Sequence, residues 1–159
     1  MLVYFLCREN AGRSQMAHAF FERLVPGHEV RSGGSEPAAR VHPEVVTVMR
    51  EVGADIEMRR PAGIDASVLA RADLVVSMGC DDPAVCVYPG RPVEDWDIPN
   101  PAGKPIEEVR RIRDLVKGKV EALSRRIRGG GVAAKREPVP AKPARHAGPP
   151  RTRLPGQRW

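Results

Sequence analysis

Cys7 and Arg13 enclose a short loop, with five residues between them, directly behind the apolar run at residues 2–6. A strand that ends in a loop opening a helix directs several backbone N–H groups toward one point, which suits a tetrahedral oxyanion. Cys7 would lie at the floor of this cradle, where the helix N-terminus and Arg13 would favour its thiolate form. A thiolate that faces a bound oxyanion is a nucleophile whose substrate is already oriented.

Arg13 would grip two oxygens of the anion with its planar fork. The candidate oxyanion-binding loop comprises Arg8, Glu9, Asn10, Ala11, Gly12 and Ser14. The alternative is that Cys7 is a small core hydrophobe at the end of a buried strand. The apolar strand before the loop and the helical pattern after it favour the catalytic interpretation.

The other two cysteines are Cys80 and Cys86. Cys80 follows the third predicted strand, as Cys7 follows the first. Because the carboxyl ends of parallel strands meet at one edge of a sheet, both thiols should emerge there. No histidine lies near Cys80 and Cys86, which argues against zinc. We therefore predict catalytic or redox thiols, with no metal and no cofactor.

Charge and composition divide the chain into a domain at 1–128 and a tail at 129–159. The tail holds seven Lys or Arg against one Glu, which accounts for the whole net charge of +6. It also holds six prolines and few branched apolar residues, so we predict a disordered basic segment. The neutral domain gives no reason to expect nucleic-acid binding. With no signal peptide or membrane-spanning run in the pattern, we expect a cytoplasmic protein.

Apolar spacing predicts strands that alternate with helices, hence a parallel sheet covered on both faces. The strands are predicted at 2–6, 29–32 and 73–78, and the helices at 14–24, 43–53, 66–71 and 106–127. Residues 79–104 are predicted as one long functional loop. The basic residues of the last helix are predicted as its solvated face: Arg110, Arg111, Arg113, Lys117 and Lys119.

Several segments resemble the low-molecular-weight phosphotyrosine phosphatases and, within them, the thiol-dependent arsenate reductases. They are Cys-Arg-Glu-Asn-Ala-Gly-Arg-Ser-Gln-Met-Ala at 7–17, Ser-Gly-Gly-Ser-Glu-Pro at 32–37, His-Pro-Glu-Val-Val at 42–46, Val-Met-Arg-Glu-Val-Gly at 48–53, Ala-Asp-Leu-Val-Val-Ser-Met-Gly-Cys at 72–80 and Trp-Asp-Ile-Pro-Asn-Pro-Ala-Gly-Lys at 96–104. The resemblance covers about residues 1–127. It implies an α/β three-layer sandwich with a four-stranded parallel sheet.

The resemblance also implies an activity, the reduction of arsenate to arsenite. Cys7 would form a thiol–arsenate adduct, Cys80 would attack Cys7, and Cys86 would take over the disulfide. Thioredoxin or a glutaredoxin-like partner working with a small thiol would reduce it. Asn10 would brace the loop, and Ser14 would hydrogen-bond the Cys7 sulfur.

Two departures from the family pattern bear on function. Asn100 stands before Pro101 where the family has the Asp that acts as general acid, and an amide cannot take that role. Asp97 is the neighbouring carboxylate that could compensate. Where some relatives hold a potassium ion, the matching residues are His18 and Ala62, so we predict no such ion. The alternatives to a reductase are a low-molecular-weight protein tyrosine phosphatase and an anion- or arsenite-binding module.

Overall fold

A computed structural model describes residues 1–79 and 93–132 of the chain. Four strands are β1 (Leu2–Cys7), β2 (Glu29–Gly34), β3 (Leu74–Met78) and β4 (Val93–Trp96). Four helices are α1 (Arg13–Leu24), α2 (Pro43–Glu51), α3 (Ala66–Arg71) and α4 (Ile106–Arg128). The strands form one parallel sheet in the order β2-β1-β3-β4. The predicted α/β class and parallel sheet are confirmed.

Strand β1 is buried along its whole length because helices cover both faces of the sheet. Its side chains alternate, so Val3 and Phe5 belong to one core cluster, whereas Leu2, Tyr4 and Leu6 belong to another. The first cluster contains the apolar faces of α1, α2 and α4, and the second contains that of α3. Three layers result, with β1 in the interior of the sheet.

Strand β4 corrects the prediction of a single loop at 79–104. Val93 is exposed, and charged residues separate it from Trp96, so no apolar run marks this edge strand. Cys80, Cys86 and most of the basic tail lie outside the described residues, and the boundary at 128 stays a prediction. No helix within the described ranges is long and apolar enough to cross a membrane.

The prediction that Arg113 belongs to the solvated face of α4 is wrong. Its side chain is buried where α4 packs on α2. Its guanidinium donates to the Val48 carbonyl at 2.9 Å and to the Glu51 carboxylate at 2.9 Å. The apolar stem packs in the helix interface while the head finds acceptors, which sequence periodicity cannot reveal.

Candidate active site

The Cys7–Arg13 loop lies at the carboxyl end of β1, between the ends of β2 and β3. The chain runs from β1 to β2 on one side and later returns to β3 on the other. Such a reversal of strand order leaves a crevice beyond the carboxyl ends of the strands, where ligands bind in open α/β sheets. The loop therefore stands at the position that this architecture favours for a site.

Every carbonyl of residues 7–12 accepts a hydrogen bond from outside the loop or from the first turns of α1. Backbone N–H groups of Ser35, Glu36, Ala38, His42 and Met16 donate to the carbonyls of residues 7, 8, 9, 11 and 12 at 2.8–3.3 Å. Gln15 Nε2 donates to the Asn10 carbonyl at 3.0 Å. Since a trans peptide directs its N–H opposite to its C=O, the N–H groups of residues 8–13 face the other way. We call the surface lined by these N–H groups the cradle.

At Gly34, the backbone of β2 approaches the backbone of the loop closely enough for these hydrogen bonds to form. A Cβ at this position would lie 2.6 Å from the Arg8 carbonyl oxygen and 2.8 Å from the Asn10 nitrogen, so a side chain would push the two segments apart. Asn10 itself has a φ of 49°, the left-handed conformation that asparagine tolerates better than most residues. Gly34 and the backbone of Asn10 thus determine the conformation of the loop and take no direct part in the reaction.

The thiol of Cys7 lies within reach of one hydroxyl. Cys7 Sγ is 3.0 Å from Ser14 Oγ, and both side chains are buried. Asn10 Nδ2 donates to the same Ser14 oxygen at 2.7 Å. The Ser14 hydroxyl can accept from Asn10 and still donate its own proton to the sulfur. A thiolate at Cys7 would accept this hydrogen bond, as the family resemblance implies.

Neighbouring groups fix the orientation of the Asn10 amide. The Ala62 N–H donates to Asn10 Oδ1 at 2.9 Å, and Gln15 Nε2 donates to the same oxygen at 3.1 Å. A backbone N–H can only donate, so the oxygen must face Ala62 and the NH₂ must face Ser14. Asn10 thus connects the N–H of Ala62 to the Ser14 hydroxyl, which contacts Cys7 Sγ.

Arg13 is the first residue of α1, and its side chain is buried. Nη1 donates to the Ile98 carbonyl at 3.1 Å. Gly79, which has a φ of +65°, leaves the space for the guanidinium, because a Cβ there would lie 1.8 Å from Nη1. The guanidinium has five N–H groups, so the contact with Ile98 leaves further donors for an anion.

Segment 97–101 approaches the cradle from the end of β4. Pro101 is buried against Gly12, where a Cβ would lie 2.8 Å from Pro101 Cγ. The preceding side chain, Asn100, is exposed and accepts a hydrogen bond from the Ala102 N–H at 3.1 Å. Asp97 is also exposed. The position that resemblance gives to a general acid thus holds an amide at the rim of the cradle.

His42 is a residue at the cradle that the sequence interpretation did not select. Its Nε2 is 2.8 Å from a carboxylate oxygen of Glu9, and its ring lies against Gly12. In the sequence, His42 stood out only as part of the segment at 42–46 that resembles the family, before a proline that suits the first turn of a helix. In the structure it is the N-cap residue of α2, and its side chain makes no cap hydrogen bond.

His18 lies one turn beyond Ser14 on α1. Its Nδ1 is 3.0 Å from Ser32 Oγ, and its Nε2 is 3.1 Å from Glu22 Oε1. Burial lowers the pKa of His18, and the nearby Arg59 lowers it further, against the opposing effect of Glu22. The neutral ring then donates from Nε2 to Glu22 and accepts from the Ser32 hydroxyl.

The depressed pKa of His18 predicts a pH-dependent stability. Because the unfolded chain binds the proton more tightly, the free energy of unfolding should fall as pH drops through about 6.5, and level off below the pKa of the folded state. In denaturant titrations, the free energy of unfolding of the parent should therefore fall between about pH 7 and 5 by more than that of His18→Gln. His28→Gln, at an exposed histidine, is the matched control. The same pH dependence of the free energy of unfolding in the parent and in His18→Gln would contradict the inference.

Across the described ranges, no group of three or more His, Cys, Asp or Glu side chains is placed to hold a metal ion. Of the predicted site residues, the structure brings together Cys7, Asn10 and Ser14 with the backbone of residues 8–12, and Arg13 begins α1 directly after this loop. Whether Cys80 and Cys86 join them falls outside the described part of the chain.

Comparison with known proteins agrees with this geometry. The model of the family described as low molecular weight phosphotyrosine protein phosphatase matches residues 2–132. A putative arsenate reductase of Halobacterium salinarum is 40% identical over 125 residues, covering 75% of this chain and 87% of that protein.

Solved structures of arsenate reductases also share the fold, and two of them illustrate the similarity. An arsenate reductase in the phosphate binding state has a TM-score of 0.72 and 36% identity, covering 79% of this chain and 98% of that chain. A thioredoxin-dependent arsenate reductase of Corynebacterium glutamicum has a TM-score of 0.69 and 34% identity, covering 81% of this chain and 62% of that chain.

Proposed function

Since the chain belongs to the low-molecular-weight phosphotyrosine protein phosphatase family, we propose that its cradle serves an arsenate reductase with Cys7 as the nucleophile. The single observation that carries the proposal is the cradle itself. All six carbonyls of residues 7–12 are engaged in hydrogen bonds, which leaves the loop N–H groups facing the other way, and the buried Cys7 contacts Ser14. We choose arsenate as the oxyanion because relatives named arsenate reductase are 36–40% identical to this chain.

The proposed chemistry begins with an exchange at arsenic. The Cys7 thiolate attacks arsenate, an S–As bond forms, and one oxygen leaves as water after protonation. The amides of residues 8–13 and the Arg13 guanidinium stabilise the charge on the remaining oxygens. Asn10 and Ser14 hold the sulfur in place.

Reduction follows when a second thiol supplies the remaining electrons. Cys80 attacks Cys7 Sγ, an S–S bond forms, and the S–As bond breaks with its electron pair going to arsenic. Arsenic passes from the pentavalent to the trivalent state, and arsenite leaves. Cys86 then attacks Cys80, which frees Cys7 and leaves a Cys80–Cys86 disulfide.

The reductant of that disulfide is proposed to be thioredoxin or a glutaredoxin-like protein working with a small thiol. The similarity to the thioredoxin-dependent reductase of Corynebacterium glutamicum favours the first. A relay of this kind works where thiols are kept reduced, so we place it in the cytoplasm.

Phosphate-ester hydrolysis is the second candidate, since the family name and the cradle both suit it. The Cys7 attack would be the same, but an alkoxide or phenolate leaving group needs a proton. Asn100 cannot supply one, and its Oδ1 is engaged with the Ala102 N–H. Loss of general acid catalysis typically costs about 10²–10⁴ in rate, so ester hydrolysis should be slow.

Two assays on the same preparation separate these functions. Thiol-dependent release of arsenite from arsenate is measured beside hydrolysis of an aryl phosphate. We expect arsenite release over many turnovers and slow ester hydrolysis, because the general-acid contribution of about 10²–10⁴ in rate is missing. Fast ester hydrolysis without arsenite release would favour the phosphatase, and binding of oxyanion without either turnover would favour a binding module.

A further inference from the structure

The loop that forms the cradle includes a glutamate, Glu9, although the proposed ligand of the cradle is an anion. Glu9 is the third residue of the loop, and its side chain is partly exposed at the surface of the site. Like charges repel over several ångströms, and the repulsion is strongest where solvent is partly excluded. A loop that binds an oxyanion therefore needs something to offset Glu9.

His42 meets that need. Its Nε2 is 2.8 Å from Glu9 Oε2, and an ionised carboxylate has no proton to donate, so Nε2 must be the donor. The bond turns the carboxylate toward α2. His42 also binds the loop at a second point, because its backbone N–H donates to the Ala11 carbonyl at 3.0 Å.

The ring of His42 shares the Gly12 surface with Pro101. A Cβ on Gly12 would lie 3.6 Å from the His42 ring and 2.8 Å from Pro101. The Glu9–His42 pair therefore stands beside the segment that brings Asn100 to the rim. The cradle and segment 97–101 thus meet at Gly12, next to this histidine.

We propose that His42 is a positioning residue for oxyanion binding, which holds the Glu9 carboxylate away from the cradle through the Nε2 hydrogen bond. The proposal rests on the proposed function in one respect, that the cradle takes an oxyanion. It predicts that the cost of losing His42 arises through Glu9. Removing the Glu9 charge should then remove the cost.

The experiment measures oxyanion binding by protection of Cys7, in the full chain. Inorganic phosphate competes with iodoacetamide at constant ionic strength, and labelling is followed in the tryptic peptide 1–8, whose only cysteine is Cys7. We expect His42→Leu to raise the Kd for phosphate about tenfold. Glu9→Gln in the same background should return it to within about twofold of the parent.

Three controls make the result specific. His42→Gln keeps an N–H donor for Glu9 and should lie nearer the parent than His42→Leu. His28→Leu, at an exposed histidine, should leave the Kd unchanged. Glu29→Gln combined with His42→Leu should not restore binding, because Glu29 lies at the opposite end of β2 from the cradle. The substitutions at His42 remove no cap hydrogen bond and leave its backbone N–H in place, so melting temperatures should stay close to the parent value.

An unchanged Kd in His42→Leu would overturn the proposal. So would a loss that Glu9→Gln does not restore, a restoration by Glu29→Gln, or His42→Gln as weak as His42→Leu. If phosphate fails to protect Cys7 in the parent, the cradle does not bind oxyanions, and the proposed function falls as well. If phosphate protects Cys7 in the parent but one of the four contradicting results is found, the proposed function stands and only the role of His42 is refuted.

Discussion

The Cys7→Ser variant is expected to release no arsenite from arsenate above the uncatalysed background. A serine hydroxyl ionises far less readily than a thiol, so the attacking anion is lost. It also cannot form a disulfide with Cys80, so even a bound arsenate would find no route for its electrons. Total loss of turnover, with no thiol–arsenate adduct, follows from either step.

The same variant should fold normally. Serine is slightly smaller than cysteine, and Ser14 Oγ remains as a hydrogen-bond partner beside it. Arsenite release is measured with excess reductant, and the melting temperature serves as the control for folding. Ordinary turnover by Cys7→Ser would refute the assignment of the nucleophile and, with it, the proposed mechanism.

Arg13→Lys is expected to lose about 10²–10³ in kcat/KM although the positive charge is kept. An ammonium cannot reproduce the bidentate fork that grips two oxygens of the anion. The substitution also removes the planar group that fills the space beside Gly79 and donates to the Ile98 carbonyl. We therefore expect weaker oxyanion binding together with a less firmly held segment 97–101.

Arg113→Lys is the matched control for this variant. Arg113 is buried to a similar degree, and its Nη1 also donates to a backbone carbonyl, that of Val48, but it lies between α2 and α4. We expect it to lower the melting temperature and leave kcat/KM for arsenate unchanged. Near-parent kinetics for Arg13→Lys would mean that this arginine does not grip the oxyanion.

The core of the fold and the centre of the site were predictable because their signals are local. The apolar strand β1, the loop from Cys7 to Arg13 and the helical spacing of α4 are each contained in one stretch of sequence. Strand β4 was missed because Val93 and Trp96 are separated by charged residues at an edge of the sheet. There the pairing with β3, rather than the side-chain pattern, fixes the conformation.

The supports of the cradle were not predictable for a different reason. They are backbone hydrogen bonds from residues 35–42 and the N–H of Ala62, and backbone groups carry no signature of residue type. Gly34 was visible in the sequence, but its need for close approach to Arg8 becomes clear only in three dimensions. The pairing of His42 with Glu9 likewise joins residues far apart in the chain.

The most direct test of Cys7 as the attacking and electron-carrying thiol is a single turnover of the full-length Cys86→Ser variant with one equivalent of arsenate. Without Cys86, the proposed relay must stop at the Cys7–Cys80 disulfide. We expect one arsenite per chain, together with tryptic peptide 1–8 joined by a disulfide to the peptide that contains Cys80. Arsenite released while peptide 1–8 still carries a free thiol would contradict the mechanism.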